Sequence, residues 1–275
     1  MKTKNIISNS VASFVGSVFE HKNILRDLEY FKYNQNWLSN FDNIILSLNG
    51  DRDLCNDLIE NLFPFYPKTK FTLLYSENIG PVFGAMDNDR KIFEYCINQK
   101  YEYIWKFSMD VIADDSILEV DINDEDDFFY INNIGYAAFD NATKDELLKN
   151  ILDHTYFYPQ TNYYIVKNKI KKWYPNIKEI IDLQNRYEEL KKDHPNEQYQ
   201  PWDAIQGCDC EYMLSKTIRD NDLRISNLLS VEDNKKIIDL VFDHKIIDGS
   251  HKNILYTNVG NLCHFHYIGH PVAPV

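Results

Sequence analysis

Asp110 is the residue whose type and surroundings point most directly to chemistry. It stands in Tyr101–Leu118, YEYIWKFSMDVIADDSIL, where an apolar run meets an acidic turn. A carboxylate leaving a buried strand lies at the carboxyl edge of a sheet, where open α/β folds bind ligands. It is also a hard oxygen donor, suited to a divalent cation that carries phosphates. A helix cap or a strand-end turn is the other use of an aspartate there. Asp114 and Asp115 follow, farther into the turn.

Two further groups lie near the carboxyl end of the chain. The run Trp202-Asp203-Ala204-Ile205-Gln206-Gly207-Cys208-Asp209-Cys210-Glu211 leads into a helical pattern from Cys210 to Arg219. Asp209 can cap that helix. Cys208 and Cys210 form a C-x-C pair without a second pair, so buried thiols account for them better than zinc. The other group is Cys263-His264-Phe265-His266-Tyr267-Ile268-Gly269-His270. On a strand, His264 and His266 share one face and Phe265 takes the other. Two such imidazoles can bind a metal or be structural histidines.

The elements that must position these groups alternate. Strands are expected at Val11–Val18, Asn43–Leu48, Phe71–Tyr75 and Tyr103–Phe107. Helices are expected at about Asn23–Ser39, Leu54–Phe63 and Asp87–Gln99. Asn49-Gly50-Asp51 is a turn signal, and Asn78–Gly84 reads as a loop. The order β-α-β-α-β-α-β predicts a mostly parallel sheet covered by helices. Residues 121–127, DINDEDD, carry five acids but lack the spacing and glycine of a calcium loop, so a solvated turn is expected. Phe128–Ile134 reads as a fifth strand and Lys144–His154 as a helix. FYPQTNYYIV, from Phe157, fits either a core strand or the aromatic wall of a groove. Lys169–Lys192 reads as a charged, solvated helix, and no internal repeat is present.

Three pieces of the first half together resemble the nucleotide-sugar glycosyltransferases of the GT-A fold. Asn49-Gly50-Asp51-Arg52-Asp53 is similar to that family's polar turn facing the donor nucleotide. Asn78-Ile79-Gly80 is similar to its Asn-x-Gly loop, and Asp110 falls where its Asp-x-Asp metal motif ends. The resemblance covers roughly residues 10–135. It implies a GT-A-like α/β fold with a mostly parallel central sheet flanked by helices. A Rossmann-like donor-nucleotide half over about 1–135 would be joined to an acceptor half over about 136–275 in one domain. It implies that Asn49, Asp51, Asn78, Gly80, Ser108 and Asp110 face the donor, and that Asp110 holds Mn²⁺ or Mg²⁺. A C-terminal histidine completing the metal shell is also implied, with His266 first and His264 second.

Inverting members place a catalytic base in a Gly-x-Asp segment at a helix start, which implies Asp209, with Glu211 as second choice. Such a base takes the acceptor hydroxyl's proton as it attacks the sugar. His266-Tyr267-Ile268-Gly269 is similar to the His-x-x-Gly of retaining members without the lysine that usually follows, so the stereochemical course stays open. The chain departs from the motif at Ser108-Met109-Asp110, where the first acid is a serine whose hydroxyl can bind a ribose or a metal-bound water. The implied substrates are a nucleoside-diphosphate sugar and a carbohydrate or other hydroxyl acceptor. Tyr156 to Tyr164 and Trp202 are candidates for stacking on the acceptor. A sugar-phosphate nucleotidyltransferase is the alternative, but Ser13–His21 carries one glycine and no Lys or Arg to cradle a triphosphate. A non-catalytic carbohydrate-binding relative is another. A His-x-His metallohydrolase lacks the further ligands it needs.

Composition narrows the partners. The formal net charge of -13 over 275 residues opposes nucleic acid and anionic membranes. It would also repel a phosphorylated substrate unless a cation bridges the two. No run reaches the length of a membrane span. The N-terminal stretch has a basic start and a mildly apolar centre, but Ser8, Asn9, Ser10 and Ser13 break that centre, which suits a strand better than a signal peptide. Five cysteines without framework spacing suggest reduced thiols in a cytoplasm.

Overall fold

The computed structural model describes residues 1–76, 81–113, 115–132, 143–155, 157, 159–194, 210–242, 254–255 and 266–267. A 3₁₀ helix, Thr3–Asn9, leads into β1 (Ser10–Val18). There follow α1 (His21–Tyr33), α2 (Gln35–Leu38), β2 (Asn43–Gly50), α3 (Arg52–Leu62), β3 (Lys70–Ser76), α4 (Pro81–Ile97) and β4 (Tyr103–Ser108). A short β5 (Val111–Ile112) precedes a second 3₁₀ helix, Asp115–Glu119. The second half contains β6 (Phe128–Asn132), α5 (Lys144–Leu152), β7 (Pro159–Lys167), α6 (Ile177–Asp193) and α7 (Cys210–Asp220). It ends with β8 (Ile225–Asn227), α8 (Val231–Phe242), β9 (Ile254–Leu255) and β10 (His266–Tyr267).

Seven strands form one sheet in the order β3-β2-β1-β4-β7-β6-β8. β1, β2, β3 and β4 pair in parallel, as do β6 and β8; β7 runs antiparallel to both of its neighbours. This is the mostly parallel, helix-flanked sheet that the alternation predicts. Its first strands are apolar on both faces because both faces are covered. Ala12, Phe14, Ile44, Leu46, Trp105 and Phe107 point into one core layer beneath α1, α2 and α3. Val11, Val15, Ile45 and Ile104 point into the other, with Ile92 and Phe93 of α4 and Leu214 and Ile218 of α7. Phe14 stacks on Phe107 with ring centroids 5.1 Å apart, which fastens β1 to β4. Such a pair adds about 0.5–1.5 kcal/mol beyond its burial.

Several expectations are corrected. The single helix over Asn23–Ser39 is two, interrupted at Asn34, whose side chain bonds across to the segment after Asp110. The helix expected over Lys169–Lys192 begins only at Ile177, after Pro175. Asn176 caps it, accepting from the Lys178 and Glu179 amides at 3.0 and 3.1 Å, and Glu179 reciprocates. Thr3–Asn9, to which the sequence pattern assigns no element, is a 3₁₀ helix leading into the expected first strand. Of the two readings of FYPQTNYYIV, the core strand holds from Pro159 onward, with Tyr163 and Tyr164 buried within the sheet layers; Tyr156 and Tyr158 lie outside the described residues. Among the described residues, no helix is long and apolar enough to cross a membrane.

Candidate functional site

The chain winds from β1 outward to β2 and β3, then returns to place β4 on the other side of β1. The strand order therefore reverses between β1 and β4, and open α/β sheets bind ligands in the crevice at such a switch point. Asp110 lies there, two residues beyond the end of β4.

Local bonds hold its turn firmly. The Met109 amide donates to the Val15 carbonyl of β1 at 2.9 Å. Buried Asn34 clamps the far side: its Nδ2 donates to the Val111 carbonyl at 2.9 Å, and its Oδ1 accepts from the Ala113 amide at 2.8 Å. Trp37 Nε1 adds a bond to the Ala113 carbonyl at 3.0 Å. β5 in turn pairs antiparallel with β10, so that His266 is opposite Ile112 and Tyr267 opposite Val111. The backbone of the C-terminal histidine segment is thus laid beside the strand that starts one residue after Asp110.

Asp110 is half-buried, and burial raises its pKa above the ordinary carboxylate value, while Arg26 and Lys106 pull it down. Arg26 belongs to a pair on α1. Its Nε donates to Asp27 Oδ1 at 2.7 Å, and Nη2 lies 2.7 Å from the same oxygen. Asp27 is fully buried, and among the described residues its second oxygen, Oδ2, has no hydrogen-bond partner. Burial pushes its pKa up to about 7; Arg26 opposes the rise and the Asp110 charge adds to it.

The polar turn after β2 is built tightly. Asn49 is buried and accepts from Ser17 Oγ, across the parallel register from β1 to β2. Gly50 has φ +119°, and a Cβ there would lie 2.7 Å from the Val18 carbonyl carbon, so only glycine fits. Exposed Asp51 caps α3, its Oδ1 accepting from the Asp53 and Leu54 amides at 2.9 and 3.1 Å. Asn78 and Gly80 lie outside the described residues.

The other group approaches through β7. Ser108 Oγ donates to Asn162 Oδ1 at 3.3 Å, and Thr161 Oγ1 donates to Glu211 Oε1 at 3.4 Å. Ser108 and Glu211 therefore contact adjacent residues of one strand. Asp209, Trp202 and His264 lie outside the described residues, as does the Cys208 half of the C-x-C pair; Cys210 begins α7.

Sequence reading overlooked the buried pair beneath this junction. Lys106 and Asp89 are both buried, with Nζ 3.5 Å from Oδ1, and Lys106 also donates to the Thr161 carbonyl. Asp27 was overlooked as well. A signal existed for both. Asp27 stands three residues after Ile24 and four before Phe31, on the core stripe of α1, and Lys106 interrupts the apolar run of β4.

Among the described residues, no three His, Cys, Asp or Glu side chains converge as a cation site. The donor chemistry nevertheless suits a hard cation. Asp110 supplies carboxylate oxygen at the switch point, and Asp27 has a buried oxygen without a partner. Oxygen ligands of this kind are those that Mn²⁺ and Mg²⁺ take.

No family model matches the sequence, and no curated protein is similar to it in sequence. Among solved structures, the chain is similar to the mannosyltransferase PcManGT from Pyrobaculum calidifontis in complex with GDP-Man and Mn²⁺, with TM-score 0.44 and 11% identity over 79% of this chain. The match spans 54% of that protein's chain. A likeness so slight transfers no substrate, metal or activity.

Proposed function

We propose that the chain is a metal-dependent glycosyltransferase that moves a sugar from a nucleoside-diphosphate sugar to a hydroxyl acceptor such as a glycan. One observation supports this reading above the others: a half-buried carboxylate, Asp110, stands at the switch point of a parallel sheet beside the backbone of a histidine-bearing strand. Asp110 would hold Mn²⁺ or Mg²⁺, with His266 or His264 as a further ligand. The bound cation would supply Lewis-acid stabilisation of the departing diphosphate. Asn49, Asp51, Asn78, Gly80 and Ser108 would border the nucleotide.

The acceptor oxygen attacks the anomeric carbon, and the bond from that carbon to the diphosphate oxygen breaks with its electron pair leaving on the diphosphate. The acceptor proton goes to a carboxylate. Asp209 is assigned that task first and Glu211 second; the approach of Glu211 to Thr161 of β7 supports the second assignment.

The test is calorimetric titration of the full chain with UDP and GDP, with and without Mn²⁺, followed by donor hydrolysis. Mn²⁺ should strengthen nucleotide binding, and Asp110→Ala should remove that gain. Nucleotide binding indifferent to the metal, or to Asp110, would count decisively against the reading. Release of pyrophosphate from a nucleoside triphosphate would assign a nucleotidyltransferase instead. Metal-dependent binding without donor turnover would assign a carbohydrate-binding relative.

A further inference from the structure

We propose that Asp27, on α1, supplies a second carboxylate to the cation held by Asp110. The inference rests on the metal-dependent reading above and names a ligand for it from outside the strand-end motif.

The observation behind it is an unexplained oxygen. Ile24, Asp27 and Phe31 share the inward stripe of α1, and all three are buried. An apolar side chain there would pack without cost, whereas a buried carboxylate must find partners for both oxygens. Asp27 finds a partner for one: Oδ1 takes Arg26, and Oδ2 is left without a hydrogen bond. A side chain placed only to anchor Arg26 would need no more than Oδ1.

The position of α1 says where the spare oxygen is useful. The helix packs against both β1 and β5, and β5 begins one residue after Asp110. The Asp110 charge acts on Asp27, and the Arg26 charge acts on both carboxylates. These groups therefore form one electrostatic cluster at the switch point. Lys106, which also acts on Asp110, is offset by Asp89, so the formal charge of the cluster is two carboxylates against one guanidinium, a single negative charge. A divalent cation reverses that sign and makes the cluster a receptor for a diphosphate.

The sequence leaves a place for such a ligand. Where a paired-acid motif would put its first carboxylate, this chain has Ser108, and that hydroxyl is turned to Asn162 on β7. The missing charge is restored from a different element, by Asp27, 81 positions before Ser108 in the chain.

Asp27→Asn separates this role from a purely structural one. The amide keeps a carbonyl oxygen to accept from Arg26 but removes the negative charge a cation requires. Mn²⁺ binding to the full chain in the presence of UDP or GDP, read by electron paramagnetic resonance, should weaken by about tenfold or more in Asp27→Asn. Wild-type affinity in Asp27→Asn, alongside loss of binding in Asp110→Ala, would overturn the role of Asp27 and leave the proposed function standing. No Mn²⁺ binding by the wild type would overturn both.

A measurement on the unaltered chain guards against a variant that does not fold. Titration of carboxyl-¹³C-aspartate protein with Mg²⁺ and nucleotide should move the Asp27 and Asp110 carboxyl resonances together with one apparent affinity. Movement of Asp110 alone would refute the inference.

Discussion

Replacing Lys106 by methionine tests whether the interior under the site is as dry as the structure indicates. Lys106 is 1% exposed and Asp89 7%. Their charged atoms are 3.5 Å apart, and the ammonium also donates to the Thr161 carbonyl. Burial raises the pKa of Asp89, and Lys106 opposes that rise. Methionine conserves most of the volume and removes the charge. Asp89 is then left buried without a counter-charge and Thr161 without its donor. Removing one partner of such a pair costs about 3–5 kcal/mol. Against a typical domain stability of about 5–15 kcal/mol, that is a large share. The second variant fixes the cause. Asp89→Asn in the Lys106→Met background removes the stranded charge and should recover at least half of the loss. Urea unfolding followed by tryptophan fluorescence reads the wild type and both variants, and the m-value must stay constant for the comparison to hold. A cost below about 1 kcal/mol for Lys106→Met, or no recovery in the double variant, would mean that water reaches the pair and that this part of the core is not the low-dielectric wall assumed here.

Three other outcomes follow from the same coordinates. Asp27 has its pKa pushed from 3.8 up to about 7, so the folded chain keeps this proton longer than the unfolded chain; its contribution to stability is complete below about pH 4 and is lost as pH rises through about 7. That swing corresponds to about 4 kcal/mol; with metal chelated, Asp27→Asn should flatten the fall in unfolding free energy between pH 5 and pH 8 by an amount of that order, and parallel profiles would refute it. Gly16→Ala would place a Cβ 2.9 Å from the Met109 Cβ, next to Asp110, and should cost about 1–3 kcal/mol while weakening Mn²⁺-dependent nucleotide binding, read by thermal shift and calorimetry. The thiols of Cys55 and Cys96 are buried, with pKa values raised by burial to about 11 and about 12, and should resist a disulfide reagent in the native protein yet react at once in urea.

The first half of the fold was legible because its signals are local. Val11–Val18, Asn43–Leu48, Phe71–Tyr75 and Tyr103–Phe107 each fall within an observed strand, because parallel strands covered by helices read as mostly apolar runs. Asn49-Gly50-Asp51 marked the end of β2 correctly but not its use. It reads as a turn, and in the fold it is a strand end with a left-handed glycine followed by a helix cap. What sequence could not show was the insertion of antiparallel β7 between β4 and β6, since strand order depends on long-range pairing. That insertion is what brings Thr161 and Asn162 between Glu211 and Ser108. The break of α1 from α2 was hidden for the same reason. Asn34 leaves the helix pattern in order to bond Val111 and Ala113, partners 77 and 79 residues away.

Burial of charge alone does not single out a site, because this fold also buries charge for structure. Asp127, near the opposite edge of the sheet, is 5% exposed, yet Lys169 meets its Oδ1 at 2.7 Å and the Arg224 amide meets its Oδ2 at 3.2 Å. Both oxygens are satisfied, and the pKa is lowered. That is how the chain treats a carboxylate whose task is to hold the fold. Asp27 and Asp89 are treated differently: each is buried with its pKa raised, and among the described residues Asp27 Oδ2 has no hydrogen-bond partner while Asp89 Oδ1 has the Lys106 ammonium at 3.5 Å. They belong to helices on opposite faces of the sheet, Asp27 on α1 acting electrostatically with Asp110 and Asp89 on α4 paired with Lys106. A fold able to satisfy Asp127 fully has no general difficulty with buried acids. Asp27 lies on the helix packed against β1 and β5, and the proposed role as a second ligand would account for its unpartnered oxygen there.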